Sequence, residues 1–238
     1  MSKLSIFITG GSRGIGAALV STFVDRKDNV GYTYKSTPAP DHQTQGGEPY
    51  KFDSESHKET SNVLSKFCGS DGTIDVLINN AGVFTPGFLA RTPLTAIQHQ
   101  FSVNAVSPIV FTQAAIPFLR RSEAPVVLNV SSVAATTPTL GQCVYSSTKA
   151  ALEIFTKGSS AELARYGITI AGVRLAPVET DMWHSLQLKT RKKIEDGLFN
   201  LSPMCPNFVA TKILNIVDNL DISQSGSIIE IGNGYEHK

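Results

Sequence analysis

The 238-residue chain lacks the features that mark several protein classes. Its three cysteines, Cys68, Cys143 and Cys205, are widely separated and have no C-x-x-C pair or histidine-rich neighbourhood, so neither a disulfide framework nor a zinc site is indicated. Charged residues make up 17% of the chain, and 21 Lys plus Arg almost cancel 20 Asp plus Glu. A formal charge of +1 creates no global field for holding nucleic acid or an anionic membrane, so any phosphate must be held locally. No run approaches the roughly 18 consecutive apolar residues of a membrane span. The apolar stretch at residues 4–8 falls short of the roughly 7 to 15 residues of a signal-peptide core. These absences predict a cytoplasmic protein that acts on a small molecule, with no nucleic-acid or membrane partner and no metal.

What the chain does have is rhythm. Short β-branched runs at 4–9, 30–34, 50–53, 74–79, 126–131, 168–175 and 227–231 alternate with helix-like stretches at 14–27, 54–68, 95–121, 144–166 and 208–220. Such alternation predicts a doubly wound α/β Rossmann domain, a seven-stranded parallel sheet with helices on both faces. Without a linker or repeat, residues 1–238 read as one domain. Residues 36–49 read as a surface loop. Residues 179–206 are the variable segment, where Met182, Trp183 and Leu186 precede the basic run 189–193. That pattern suggests a short amphipathic lid over a pocket, or equally a solvated surface helix.

Residues 9–16, Thr-Gly-Gly-Ser-Arg-Gly-Ile-Gly, leave the first strand and enter the first helix. Glycines there let the backbone turn tightly and approach a pyrophosphate, and helix N-terminal amides attract its charge. The candidate contacts are Gly10, Ser12, Arg13, Gly14, Ile15 and Gly16. An acid about 20 residues further on would bind the ribose hydroxyls of NAD, but the second strand ends in Tyr34-Lys35-Ser36. Lys35 and Arg13 are cations suited to a 2′-phosphate, so the expected cofactor is NADP(H).

The spacing of Gly10, Gly14 and Gly16 resembles the cofactor turn of the short-chain dehydrogenase/reductase family. Other motifs extend the resemblance along essentially the whole chain. Asn79-Asn80-Ala81-Gly82 matches the family's N-N-A-G, which implies that Asn80, Ala81 and Gly82 pass close to the nicotinamide ribose. Asp53 would accept a hydrogen bond from the adenine amino group; its alternative is a helix N-cap. Tyr145 and Lys149, four apart, share one helix face, and Ser132 lies 13 residues before Tyr145, the family's usual separation. Spacing selects Ser132 over Ser131, although chemistry alone leaves the two open. The resemblance implies Tyr145 as general acid/base and Lys149 as the cation that lowers its pKa and holds the nicotinamide ribose. Ser132 would polarise the substrate carbonyl, and Asn104 would fix a water that relays protons to Lys149. Val178 and Thr180 keep part of the family's P-G-x-x-x-T segment, which contacts the nicotinamide carboxamide, but Leu175-Ala176 replaces Pro-Gly. Ile231-Gly232-Asn233-Gly234 likewise departs from the usual acidic Asp-Gly-Gly.

The implied activity is NADP(H)-dependent reduction of a ketone or aldehyde, as in a 3-oxoacyl-carrier-protein ketoreductase. Two alternatives stand beside it, an NAD-dependent secondary alcohol dehydrogenase and a non-enzymatic dinucleotide sensor. A serine hydrolase is excluded, since G-x-S-x-G is absent and His42, His57, His99, His184 and His237 have no triad partners. By analogy the chain forms a homodimer or homotetramer through the helices at 104–121 and 145–166. Trp183 and Phe199 suggest a mainly apolar or ring-bearing substrate.

Overall fold

The computed structural model describes residues 3–39, 46–69, 72–197 and 202–232, the side chains of 193–197 excepted. Expectations for residues 40–45, Phe199, Asn233, Gly234 and His237 lie outside the described residues.

Seven strands, β1 (Ser5–Ile8), β2 (Asn29–Tyr34), β3 (Glu48–Lys51), β4 (Val76–Asn79), β5 (Val126–Ser132), β6 (Thr169–Leu175) and β7 (Ile228–Ile231), form one sheet in the order β3-β2-β1-β4-β5-β6-β7. Every pairing is parallel. This is the expected doubly wound sheet. Its first strands run outward from β1 to β3, and the chain then returns to the other side of β1, so a crevice opens between β1 and β4 at their carboxyl ends.

Both faces of the sheet are buried, which is why its strands carry so little charge. Ile6 and Ile8 of β1 face one apolar cluster with Leu19 and Phe23 of α1 (Gly14–Asp25) and Val209 and Ile213 of α8 (Pro206–Asn219). Phe7, pointing the other way, joins Phe67 of α2 (Thr60–Cys68), Phe111 of α4 (Ser107–Leu119) and Leu163 of α5 (Cys143–Ala164). The helical stretch Leu94–Leu119 has the length and apolarity of a membrane span, but half of it is buried within the protein, as in a core helix. Between the strands Asn79 Nδ2 donates to Asn129 Oδ1 at 2.8 Å and to Thr112 Oγ1 at 3.2 Å, and Asn129 Nδ2 donates to Thr156 Oγ1 at 2.8 Å. This buried chain of amides and hydroxyls ties α4, β4, β5 and α5 together.

The differences from the sequence reading have local causes. Strand β3 starts at Glu48 and takes in Pro49, which the sequence places in a loop. Proline lacks a ladder N–H, and β3, as an edge strand, tolerates that loss. The helix expected over 95–121 is divided into α3 (Leu94–Phe101), a π turn at Ser102–Val106, and α4. The stretch 54–68 opens with a 3₁₀ turn at His57–Glu59 before α2. The irregular segment 179–206 contains α6 (Asp181–His184) and α7 (Leu188–Gly197).

Candidate active site

A cleft of about 350 Å³ runs along the carboxyl ends of the central strands. Of the residues singled out in the sequence, Gly10, Ser12, Arg13, Gly14, Ile15, Gly16, Tyr34, Lys35, Asp53, Asn80, Ala81, Gly82, Ser132, Tyr145, Lys149, Val178 and Thr180 all line it. Ser36 is exposed and does not line it, and Asn104 is wholly buried just behind it.

The glycine turn is held from β4. Thr9 Oγ1 accepts the backbone N–H groups of Asn80 and Ala81, each at 3.0 Å, and Asn80 Nδ2 donates to the carbonyls of Thr9 and Gly10 at 3.0 Å. Gly10 and Gly14 have φ of 69° and 55°, a region costly for other residues. A Cβ on Gly16 would collide with the Gly10 carbonyl. The turn delivers the N-terminus of α1 to the cleft without a side-chain cap and without an acid in its first turn. Uncapped amides at a helix N-terminus fit a phosphate group.

Strand order puts Lys35 and Asp53, after β2 and β3, on one side of the turn, and Ser132, at the end of β5, on the other. Three strand spacings separate β2 from β5, about 14 Å. Lys35 Nζ pairs with Asp53 Oδ2 at 2.9 Å and lies 3.9 Å from Glu55 Oε2. Asp53 also accepts the Glu55 N–H at 3.1 Å in a local turn; it caps no helix, since the 3₁₀ turn starts at His57 and α2 at Thr60. Burial pushes the Asp53 carboxyl up, but Lys35 and the Glu55 N–H outweigh it and leave the pKa below its usual value. His99 Nδ1 of α3 reaches Glu55 at 3.1 Å, so this end of the cleft carries acids as well as cations.

At the other end the two serines separate. Ser131 Oγ, buried, donates to Glu153 Oε1 at 2.8 Å, and Glu153 also receives Arg174 through Nε at 3.0 Å and Nη2 at 2.7 Å. Ser132 lines the cleft, accepts the Ala134 N–H at Oγ (3.2 Å) and lies near enough to the Tyr145 hydroxyl to influence its titration. Tyr145 and Lys149 lie on α5, with the ammonium 5.9 Å from the centre of the phenol ring. Burial raises the Tyr145 pKa to about 12, although Ser132 works against it. Burial lowers the Lys149 pKa to about 8, opposed by the Glu153 carboxylate. Lys149 Nζ donates to the Val130 carbonyl at 2.8 Å. Asn104, in the π turn, receives the Val83 N–H at Oδ1 (2.8 Å) and donates to the Val83 carbonyl (2.8 Å) and to Thr148 Oγ1 (3.0 Å). A Cβ on Gly82 would stand 3.6 Å from both Asn104 Oδ1 and Lys149 Nζ, so these two groups border the same space.

Loops complete the walls. Thr180 caps α6 by accepting the Trp183 N–H at 3.3 Å, which turns Trp183 and Leu186 inward against Phe84 and Val133. Of the apolar residues in segment 179–206, Met182, Trp183 and Leu186 all line the cleft. At Leu175-Ala176, which stands in place of Pro-Gly, the Ala176 N–H bonds the Ile231 carbonyl at 3.0 Å. Sequence reasoning missed Phe84 and His99, both on the cleft. Phe84, two residues beyond the N-N-A-G motif, was within reach of the sequence; His99 had no local signal.

Residues 5–191 match the family model for short chain dehydrogenase. The chain belongs to the short-chain dehydrogenase family. Among relatives of this dehydrogenase, L-xylo-3-hexulose reductase of Hypocrea jecorina is 30% identical over 211 residues, covering 76% of the chain and 68% of the relative. A 3-oxoacyl-(acyl-carrier-protein) reductase of Aquifex aeolicus is 27% identical, covering 98% and 96%. Among solved structures, a Burkholderia cenocepacia short chain dehydrogenase in complex with NADP aligns with a TM-score of 0.81 and 26% identity over 96% of each chain. A Serratia marcescens short-chain dehydrogenase/reductase shares the fold, with a TM-score of 0.85 and 24% identity over 98% of each chain. Membership makes the dehydrogenase an oxidoreductase.

Proposed function

We propose that this short-chain dehydrogenase is an NADP(H)-dependent ketoreductase that converts a ketone or aldehyde to an alcohol, with Tyr145 as proton donor. The observation that carries the reading is one cleft with an uncapped glycine turn at one end and Ser132, Tyr145 and Lys149 together at the other. When bound, the nicotinamide supplies the hydride. Ser132 and Tyr145 hydrogen-bond the carbonyl oxygen, and Tyr145 gives up its proton as negative charge develops there. A phenol with a pKa near 12 is fully protonated at neutral pH, as a donor must be, and the adjacent Lys149 ammonium steadies the phenolate left behind. Asn104 and Lys149 border the space in which a relay water would return the proton. The NADP-bound relative and the cations Arg13 and Lys35 on the cleft support NADP(H) as the cofactor.

In this reading residues 1–238 act as one domain, in the cytoplasm. The exposed apolar side chains Val106, Ile109 and Ile154 on the helices around the π turn and on α5 support a homodimer or homotetramer. A second reading, NAD-dependent oxidation of a secondary alcohol, gains from Asp53 and Glu55, which crowd Lys35 with negative charge where a 2′-phosphate would sit. The non-enzymatic sensor has no comparable support, since Ser132, Tyr145 and Lys149 share the cleft. The test is Tyr145→Phe. It should reduce carbonyl turnover by about 10²-fold or more while NADPH still raises the melting temperature. Unchanged turnover would sink the proton-donor role.

A further inference from the structure

We infer that the substrate is an uncharged, apolar ketone or aldehyde with a flat or branched hydrocarbon group seated against the wall formed by Phe84 and Trp183, and not a polyhydroxylated or anionic carbonyl compound. This deepens the ketoreductase reading and rests on it.

The catalytic end of the cleft is walled by apolar side chains. The Phe84 ring lies 4.8 Å from the Tyr145 ring, tilted by 44°, so it flanks the group that would donate the proton. Trp183 and Leu186 are 8% and 6% exposed, although they belong to a short lid and to neither core cluster of the sheet. They pack against Phe84 and Val133, and all four side chains line the cleft, with Val133 also packed against the main core. An apolar patch that lines a cleft and adjoins a reactive hydroxyl is a place for an apolar ligand.

The distribution of charge points the same way. Among the described residues on the cleft, Arg13, Lys35, Asp53 and His99 follow β1, β2 and β3 or reach them from α3. Lys149 is beneath Tyr145 and already donates to the Val130 carbonyl. Asp181, in the first turn of α6, would repel an anion. A carboxylate or phosphate on the substrate would thus find no free cation at this end. Hydroxyl partners are equally scarce. Ser132 and Tyr145 are needed for the reacting carbonyl, and Gln142 Oε1 already accepts the Thr139 N–H at 3.1 Å. The Gln142 amide N–H groups and the Thr137 hydroxyl remain for a polyol whose other hydroxyls would face Phe84, Val133, Trp183 and Leu186. Polar groups left unpaired against apolar walls are rejected far more strongly than apolar groups of similar size.

Trp183 is the single tryptophan of the chain, so its fluorescence reports on this wall alone. Three probes suffice: a phenyl alkyl ketone, a ketohexose and an aliphatic 2-oxo acid, each titrated into the NADP⁺-saturated protein and each assayed as a substrate with NADPH. The phenyl ketone should quench Trp183 fluorescence, and its kcat/KM should exceed the other two by about 10-fold or more. Phe84→Leu should raise its KM several-fold with little change in kcat, and Val133→Thr, nearly isosteric, should do the same if the first variant does not fold. Quenching and turnover led by the ketohexose or the 2-oxo acid would overturn the inference, as would no quenching by any probe. Quenching by the phenyl ketone without turnover by either NADPH or NADH would leave the apolar subsite standing and sink the ketoreductase reading instead.

Discussion

Tyr145 and Lys149 were legible because a helix puts residues four apart on one face, and the structure sets both on α5 beside the cleft. What the spacing could not give is their electrostatics. Burial pulls the two pKa values toward the neutral forms, Tyr145 to about 12 and Lys149 to about 8. Reduction needs a protonated phenol and a charged ammonium, and both are present at neutral pH. As pH rises through about 8, Lys149 loses its charge first, well before Tyr145 loses its proton. In the free enzyme, kcat/KM for carbonyl reduction should therefore be flat on the acid side and fall above pH of about 8. A profile that rises through that value would contradict the assignment of roles. Spacing selected Ser132 over Ser131, and side-chain direction separates the two. Ser131 turns inward to the Glu153 carboxylate, and Ser132 faces Tyr145. His99 was invisible in the sequence because it comes to the cleft from α3, and proximity across a fold leaves no local pattern.

At the scale of elements, strands and glycine turn followed from composition and spacing, whereas interruptions of helices did not. The continuous apolar pattern from 95 to 121 conceals a π turn, since one extra residue per turn changes no residue type. That turn carries Asn104, which clamps Val83 through both its N–H and its carbonyl. Asn79 and Asn129, both buried in adjacent strands, act as a pair. Replacing Asn129 by Ala would strip Asn79 Nδ2 of its shortest bond and Thr156 Oγ1 of a donor, both in the interior. Urea or thermal unfolding of Asn129→Ala should show a loss of about 1–3 kcal/mol. A loss within a few tenths of wild type would mean that the amide chain is not a brace.

For the whole molecule, the near-neutral charge seen in the sequence resolves into a division of labour along one cleft. The cations and acids that could select a cofactor collect after β1, β2 and β3, and the apolar wall with the reactive hydroxyls collects around β5 and the lid. The sheet order creates this division, and no single segment of sequence carries it. The central claim is that hydride crosses this cleft from NADPH to a carbonyl carbon. Its most direct test is product analysis after incubation with a phenyl alkyl ketone and NADPH carrying deuterium at the transferable position of nicotinamide C4. Both C4 epimers should be used, and NADH labelled in the same way run in parallel. The account predicts deuterium on the carbinol carbon of the alcohol from one NADPH epimer, with NADH giving less product. Alcohol without deuterium from either epimer, or labelled alcohol formed only with NADH, would contradict it.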